Sequence, residues 1–183
     1  MRITKAALNR RWAISTLLAI AVFAIVAALD MRLRALSGVA TTDLQGYALG
    51  WQYRAARAAW LPEPFALRAG LALGLDYLFM PLYAASFFLS GIIAREAFTR
   101  PPSSLYRLLT ILAAVPVAGA LLDAFENALE FWLLVNGGGD QLARIAFTIS
   151  NAKMAAVYVG LVLLAGAILA RAQERQKRKM KAP

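Results

Sequence analysis

Apolar residues gather along this chain into four blocks, at 12–29, 65–93, 105–135 and 143–170, each long enough to form a membrane-crossing helix. A hydrocarbon core of about 30 Å takes roughly 20 helical residues at about 1.5 Å each. Turn residues separate the blocks. Pro101 and Pro102 stop the second, Ser103 or Ser104 is placed to cap the third, and "NGGGD" at 136–140 makes a short turn before the fourth. The pattern predicts an all-α fold: a four-transmembrane-helix bundle, with residues 1–183 forming a single integral membrane domain.

The connection between the first two blocks has a pattern of its own. In "TTDLQGYALGWQYRAARAAW" at 41–60, Thr42 is a candidate N-cap with Asp43 in the first turn, and Leu44, Tyr47 or Ala48, Trp51, Ala55 and Ala58 recur at helical spacing. Arg57 lies opposite that stripe, as do Tyr53 and Trp60. This predicts an amphipathic interfacial helix with Tyr47 and Trp51 at headgroup depth; the alternative is an ordinary loop whose aromatics pack on the bundle. The prolines of "LPEP" at 61–64 end the segment.

Composition agrees with the pattern, since 61% hydrophobic against 16% charged residues leaves too little polar surface for a soluble domain of 183 residues. The net charge of +10 matters chiefly through its distribution. Arg2, Lys5, Arg10 and Arg11 precede the first block, Arg95, Arg100 and Arg107 flank the second connection, and Arg171, Arg175, Lys177, Arg178, Lys179 and Lys181 follow the last. The opposite side holds only Arg32, Arg34, Arg54, Arg57, Arg68 and Arg144. The positive-inside rule then places both termini, and the basic tail at 171–183, in the cytoplasm of a multi-pass inner (plasma) membrane protein. That tail reads as a topology anchor touching anionic lipid headgroups, at about 1 kcal/mol per cation, and no nucleic-acid partner is expected. The first block exceeds the roughly 7–15 apolar residues of a signal peptide and reads as a retained helix. With no cysteine and no histidine, disulfides, thiolate or histidine metal ligation and histidine acid–base catalysis are excluded; no metal and no cofactor are expected.

Against this background "LLDAFENALEFWLL" at 121–134 stands out. At 100° per residue, Asp123, Glu126, Asn127 and Glu130 share an arc of about 100° on one helix face. Gly119 and Pro116 continue that face and are expected to open space and loosen the backbone. Asp76 shares a face of the second block with Ala72, Met80, Tyr83 and Phe87, and the fourth block carries Lys153 beside Ser150 and Gly160, with Asn151 and Tyr158 opposite. Counting inward at about 1.5 Å per residue puts Asp76, Asp123, Glu126 and Lys153 at one level. A charge at the bilayer centre costs about 2.5–3.5 kcal/mol on insertion scales, so these groups must face one another or a polar cavity. Glu130, nearer the surface beside Trp132, reads as solvated. Four carboxylates then meet one ammonium, which calls for protons, a cation or a cationic ligand to complete the balance.

At "LDYLFMPLY", "AGALLDAFENALEFWLL" and the lysine of "SNAKMAAVYVGLVLL" the chain resembles a group of uncharacterised bacterial four-span membrane proteins, over most of residues 43–170. The resemblance implies a bacterial inner membrane and marks Asp76, Tyr83, Asp123, Glu126, Asn127 and Lys153, but carries no activity with it. In topology the chain also resembles EXPERA-type membrane domains of sterol isomerases and related sterol-binding proteins, from which it departs in having no histidine.

Three functions compete. The six marked residues bind a lipid-like or amphiphilic small molecule and, in an enzyme, transfer protons through Asp123 or Glu126 with Lys153 as electrostatic partner. Alternatively, the chain is an assembly or scaffold subunit whose polar face meets a membrane-protein partner, or fastens its own helices. A proton or cation pathway ranks third, because the inner halves of the second and fourth blocks are apolar. All three place the protein among membrane lipids. The topology is testable by single cysteines: at Ala48 and Gly138 they should react with an impermeant thiol reagent in intact cells, and at Ala182 they should not. The reverse labelling would invert the orientation.

Overall fold

The computed structural model describes residues 4–96, 103–137 and 139–180, so the "RPP" turn, Gly138 and the end of the basic tail lie outside the described residues. Its elements are α1 Lys5–Ser37, a 3₁₀ turn Thr41–Gly46, α2 Gly50–Ala59, α3 Glu63–Glu96, α4 Ser103–Asn136 and α5 Asp140–Lys179. There is no strand among the described residues. α1, α3, α4 and α5 are each long and apolar enough to span a bilayer, which makes this a multi-pass membrane protein of four helices with a short helix between the first two.

α3, α4 and α5 pack pairwise, and α1 lies at the periphery, chiefly against α3. Its outer face shows Leu17, Ile20, Phe23 and Ile25 to the surroundings. Lipid tails are as apolar as these side chains, so burial of apolar area does not drive the helices together; close packing and polar contacts must do so. Small residues provide the close packing. A Cβ on Gly91 of α3 would stand 2.5 Å from Ala113 Cβ and 2.9 Å from Ala113 Cα of α4. One on Gly119 of α4 would stand 2.6 Å from Ala156 Cβ of α5, and one on Gly160 of α5 would enter the Phe87 ring of α3. The expected opening at Pro116 and Gly119 is therefore absent: α4 runs unbroken through a buried Pro116, and the missing side chain at Gly119 is used for contact with α5.

At the end opposite the chain termini, the connecting segment folds over the bundle. α1 stops where Gly38 turns left-handed at φ 78° and donates to Arg34 O. The segment 41–60 is not one helix. Residues 47–49 are extended, and the N-terminus of α2 is held by Gln52 Oε1, which accepts from Ala48 N and Leu49 N, and by Asp140 Oδ1, which accepts from Gly50 N at 2.9 Å. The break resets the helical phase, so Tyr53 and Trp60, expected on the polar side, are buried, Tyr53 donating to Leu44 O and Trp60 Nε1 to Val39 O. Trp51 is exposed. Thr42 is not the cap either: Ala40 precedes the 3₁₀ turn, and its N–H donates to Asp43 Oδ2. Leu33, Leu44, Tyr53, Trp60 and Leu133 form an apolar core beneath this cover, and Met80, Tyr83, Phe87 and Ala120 form a second one deeper in the bundle. The polar side chains lie between them.

Gly91→Ala should lower stability by about 1–3 kcal/mol, because the added methyl meets backbone that cannot swing aside. Gly74→Ala, with nothing within 4 Å, should leave stability equal or higher. Thermal unfolding of both variants in mild detergent checks the pair.

Candidate functional site

Lys153 of α5 is 3% exposed, and its Nζ lies 3.0 Å from Asp123 Oδ1 and 2.7 Å from Glu126 Oε2 on α4. Asp123 and Glu126 are three residues apart, so both project from one helix face and hold the ammonium between them. Tyr83 of α3 donates to the other Asp123 oxygen, Oδ2, at 3.0 Å. Asp123 is thus engaged through both oxygens. Glu126 is held differently: it sits close to Lys153 but off the hydrogen-bonding direction, and neither of its oxygens has a hydrogen-bond partner. Asn127, on the same face of α4, turns toward α3 and donates Nδ2 to Asp76 Oδ2 at 2.7 Å. The structure therefore brings Asp76, Tyr83, Asp123, Glu126, Asn127 and Lys153 into one layer. Ser150 is buried with Lys153, while Asn151 and Tyr158 face outward.

Glu130 departs from its reading as a solvated residue. It is 1% exposed, its Oε1 has no hydrogen-bond partner, and it makes no ion pair among the described residues. Counting depth along one helix does not reveal that α2 and the 3₁₀ turn fold over that position. Burial, with Glu130 and then Glu126 nearby, pushes the Tyr53 phenol in this cover well above its ordinary pKa.

Beside Glu130 is a small cavity of about 40 Å³ whose polar lining is Thr41, Thr42, Gln45, Asp76, Asn127 and Glu130. Val26, Ala72 and Leu73 complete it. Its roof is fastened by Asp30, which the sequence reading passed over. Asp30 Oδ1 accepts from Thr41 N at 2.8 Å and Thr41 Oγ1 at 2.6 Å, and Oδ2 accepts from Thr42 N at 3.0 Å. The available signal was its place at the very end of an apolar run, "AALDMR", followed by a Thr-Thr pair. Arg34 adds an ion pair to Asp43 at 2.6 Å.

The chain matches no family model, no curated protein and no solved structure. Among the described residues no three metal-ligating side chains come together as a metal site. Further along the bundle the polar groups fasten helices: Thr16 and Ser86 hydroxyls lie 2.7 Å apart, and Trp12 Nε1 donates to Ser90 Oγ at 2.8 Å, tying α1 to α3. Phe87, on the Asp76 face of α3, packs against Gly160 and Tyr83.

Lys153→Met should destabilise the fold by about 3–5 kcal/mol, because it strands two buried carboxylates. Adding Asp123→Asn and Glu126→Gln to it should restore most of the loss. Unfolding midpoints of the single and triple variants measure this, and no rescue would mean the three residues do not act as one electrostatic unit.

Proposed function

We propose that the protein binds an amphiphilic small molecule, with the molecule's positively charged end against the buried carboxylates and its apolar part in a lateral groove. The observation carrying this reading is Glu130, a buried carboxylate with an unpartnered oxygen beside a polar cavity. Lys153 is already shared by Asp123 and Glu126, so Asp76 and Glu130 are left without a cation among the described residues. A cationic ligand supplies the missing charge. On its other side Leu73, which lines the cavity, also lines a groove of about 310 Å³ between α2, α3 and α4, walled by Trp60, Leu61, Ala69 and Phe131 with Arg57 at its rim. Leu73 thus borders both a polar site and an apolar one, the juxtaposition an amphiphile needs.

Lys153 is paired with Asp123 and Glu126, and Asp123 is engaged through both oxygens, which favours binding over proton transfer through Asp123. Orientation follows the charge distribution, with the chain termini cytoplasmic and the cover facing out, so the ligand would come sideways from the outer leaflet. A second reading, a subunit of a larger membrane complex, is favoured by a groove of about 490 Å³ between α3 and α4, where Ala84, Ala85, Ala120 and Ala124 lie among larger side chains such as Tyr77, Phe88 and Leu121. A partner helix could approach at the alanines and pack against the larger side chains beside them.

Decylammonium and decanoate offer the same tail with opposite charge. At a free concentration about one hundred times its Kd, decylammonium should stabilise the detergent-solubilised protein by about 2.7 kcal/mol, and decanoate should not. Equal effects of the two, or none, together with a stoichiometric protein partner on gentle extraction, would favour the subunit reading instead.

A further inference from the structure

The dimensions and lining of the polar cavity say more about the ligand than its sign of charge. Resting on the amphiphile-binding reading, we propose that the ligand's charged end is an unsubstituted primary ammonium, and that Glu130 is the residue that selects it over a quaternary one.

Size is the first argument. The cavity is small, at about 40 Å³. An –NH₃⁺ group is about as large as one water, whereas a trimethylammonium surrounds its nitrogen with three methyl groups, each larger than a water. The chemistry of the lining points the same way. Quaternary ammonium ions, having no N–H, are recognised by aromatic faces, and no aromatic residue lines this cavity. The lining instead presents oxygen acceptors. Glu130 Oε1 has no partner, Asp76 has only Oδ2 engaged by Asn127, and the Gln45 amide and Thr42 hydroxyl stand at the roof. A primary ammonium carries three N–H donors and suits such a set.

The roof also resists enlargement. Thr41 and Thr42 are held by three hydrogen bonds to Asp30, and the same turn is held by the Arg34–Asp43 ion pair. Admitting a bulkier head would break those contacts, so the cavity discriminates by exclusion as well as by attraction. A primary ammonium on an apolar body comes from a simple long-chain amine or from an ethanolamine-headed phospholipid, and the experiment separates these sources.

The full chain in nonionic detergent is titrated with decylammonium and with decyltrimethylammonium, binding being read by native mass spectrometry and by the unfolding midpoint. The expected result is at least a tenfold preference for decylammonium. Glu130→Gln should erase that preference by weakening decylammonium alone, and Gln45→Leu, in the roof outside the spans, should reduce it several-fold and serves if the first variant does not fold. Equal affinity for the two heads, or a preference untouched by both substitutions, overturns the inference while the broader binding reading stands. No binding of either amphiphile overturns both. In nanodiscs of ethanolamine- or choline-headed phospholipid with matched tails, selective retention of the ethanolamine lipid assigns the ammonium to a headgroup; decylammonium binding indifferent to lipid composition assigns it to a free amine.

Discussion

A lysine ammonium surrounded by hydrocarbon has to find negative charge within its own bundle, and the meeting of Lys153 with Asp123 and Glu126 sets how α4 and α5 face each other. The rotation so fixed has consequences along both helices. Gly119, one turn before Asp123, meets Ala156, just beyond Lys153, so the close backbone contact and the ion pair lie on continuous stripes. Asn127, on the same face of α4, is carried round to reach Asp76 on α3, and Tyr83 reaches in from α3 to Asp123. A single buried cation thereby organises three helices. α1 needs no part in this arrangement and is attached separately, through Thr16, Trp12 and their serine partners.

The bundle is layered along its length. An apolar core under the cover and an aromatic-rich one deeper down enclose the polar level, which keeps water and lipid from both of its sides. That enclosure makes each unpaired polar atom costly, so polar groups must be matched closely. Around Lys153 the charges are matched within the bundle, although the Glu126 oxygens make no hydrogen bond; around Glu130 there is no matching cation among the described residues, and the difference divides one polar layer into two halves.

Much of this was legible in the sequence. The four spans follow from apolar length alone, because the bilayer thickness leaves little choice of element. The polar face was also legible: a period of 3.6 places Asp123, Glu126 and Asn127 together whatever surrounds them, and depth counting brought Lys153 to their level. What escaped depends on tertiary placement. The extended residues 47–49 shift the phase of α2, so a stripe read in one register across the break assigned Tyr53 and Trp60 to the wrong side. The distance of Glu130 from the helix end does not reveal a segment folded over that end. Gly119 and Pro116 were read as loosening features, although only a neighbour's identity, here Ala156, decides whether a missing side chain makes a gap or a contact.

The three hydrogen bonds gathered by Asp30 bear on how such a chain is made. Its partners Thr41 and Thr42 follow only eleven and twelve residues later, so the carboxylate at the end of α1 is satisfied by neighbouring chain almost as soon as it is synthesised. Asp123 has to wait for a lysine thirty residues downstream, roughly 1.5–6 s at translation speeds of about 5–20 residues per second. During that interval α4 carries its acidic face without its cation. The contact of α1 with the 3₁₀ turn can therefore mature while the ribosome is still at work, whereas the α4–α5 junction closes only when α5 is in place, which makes α5 the helix that completes the polar layer.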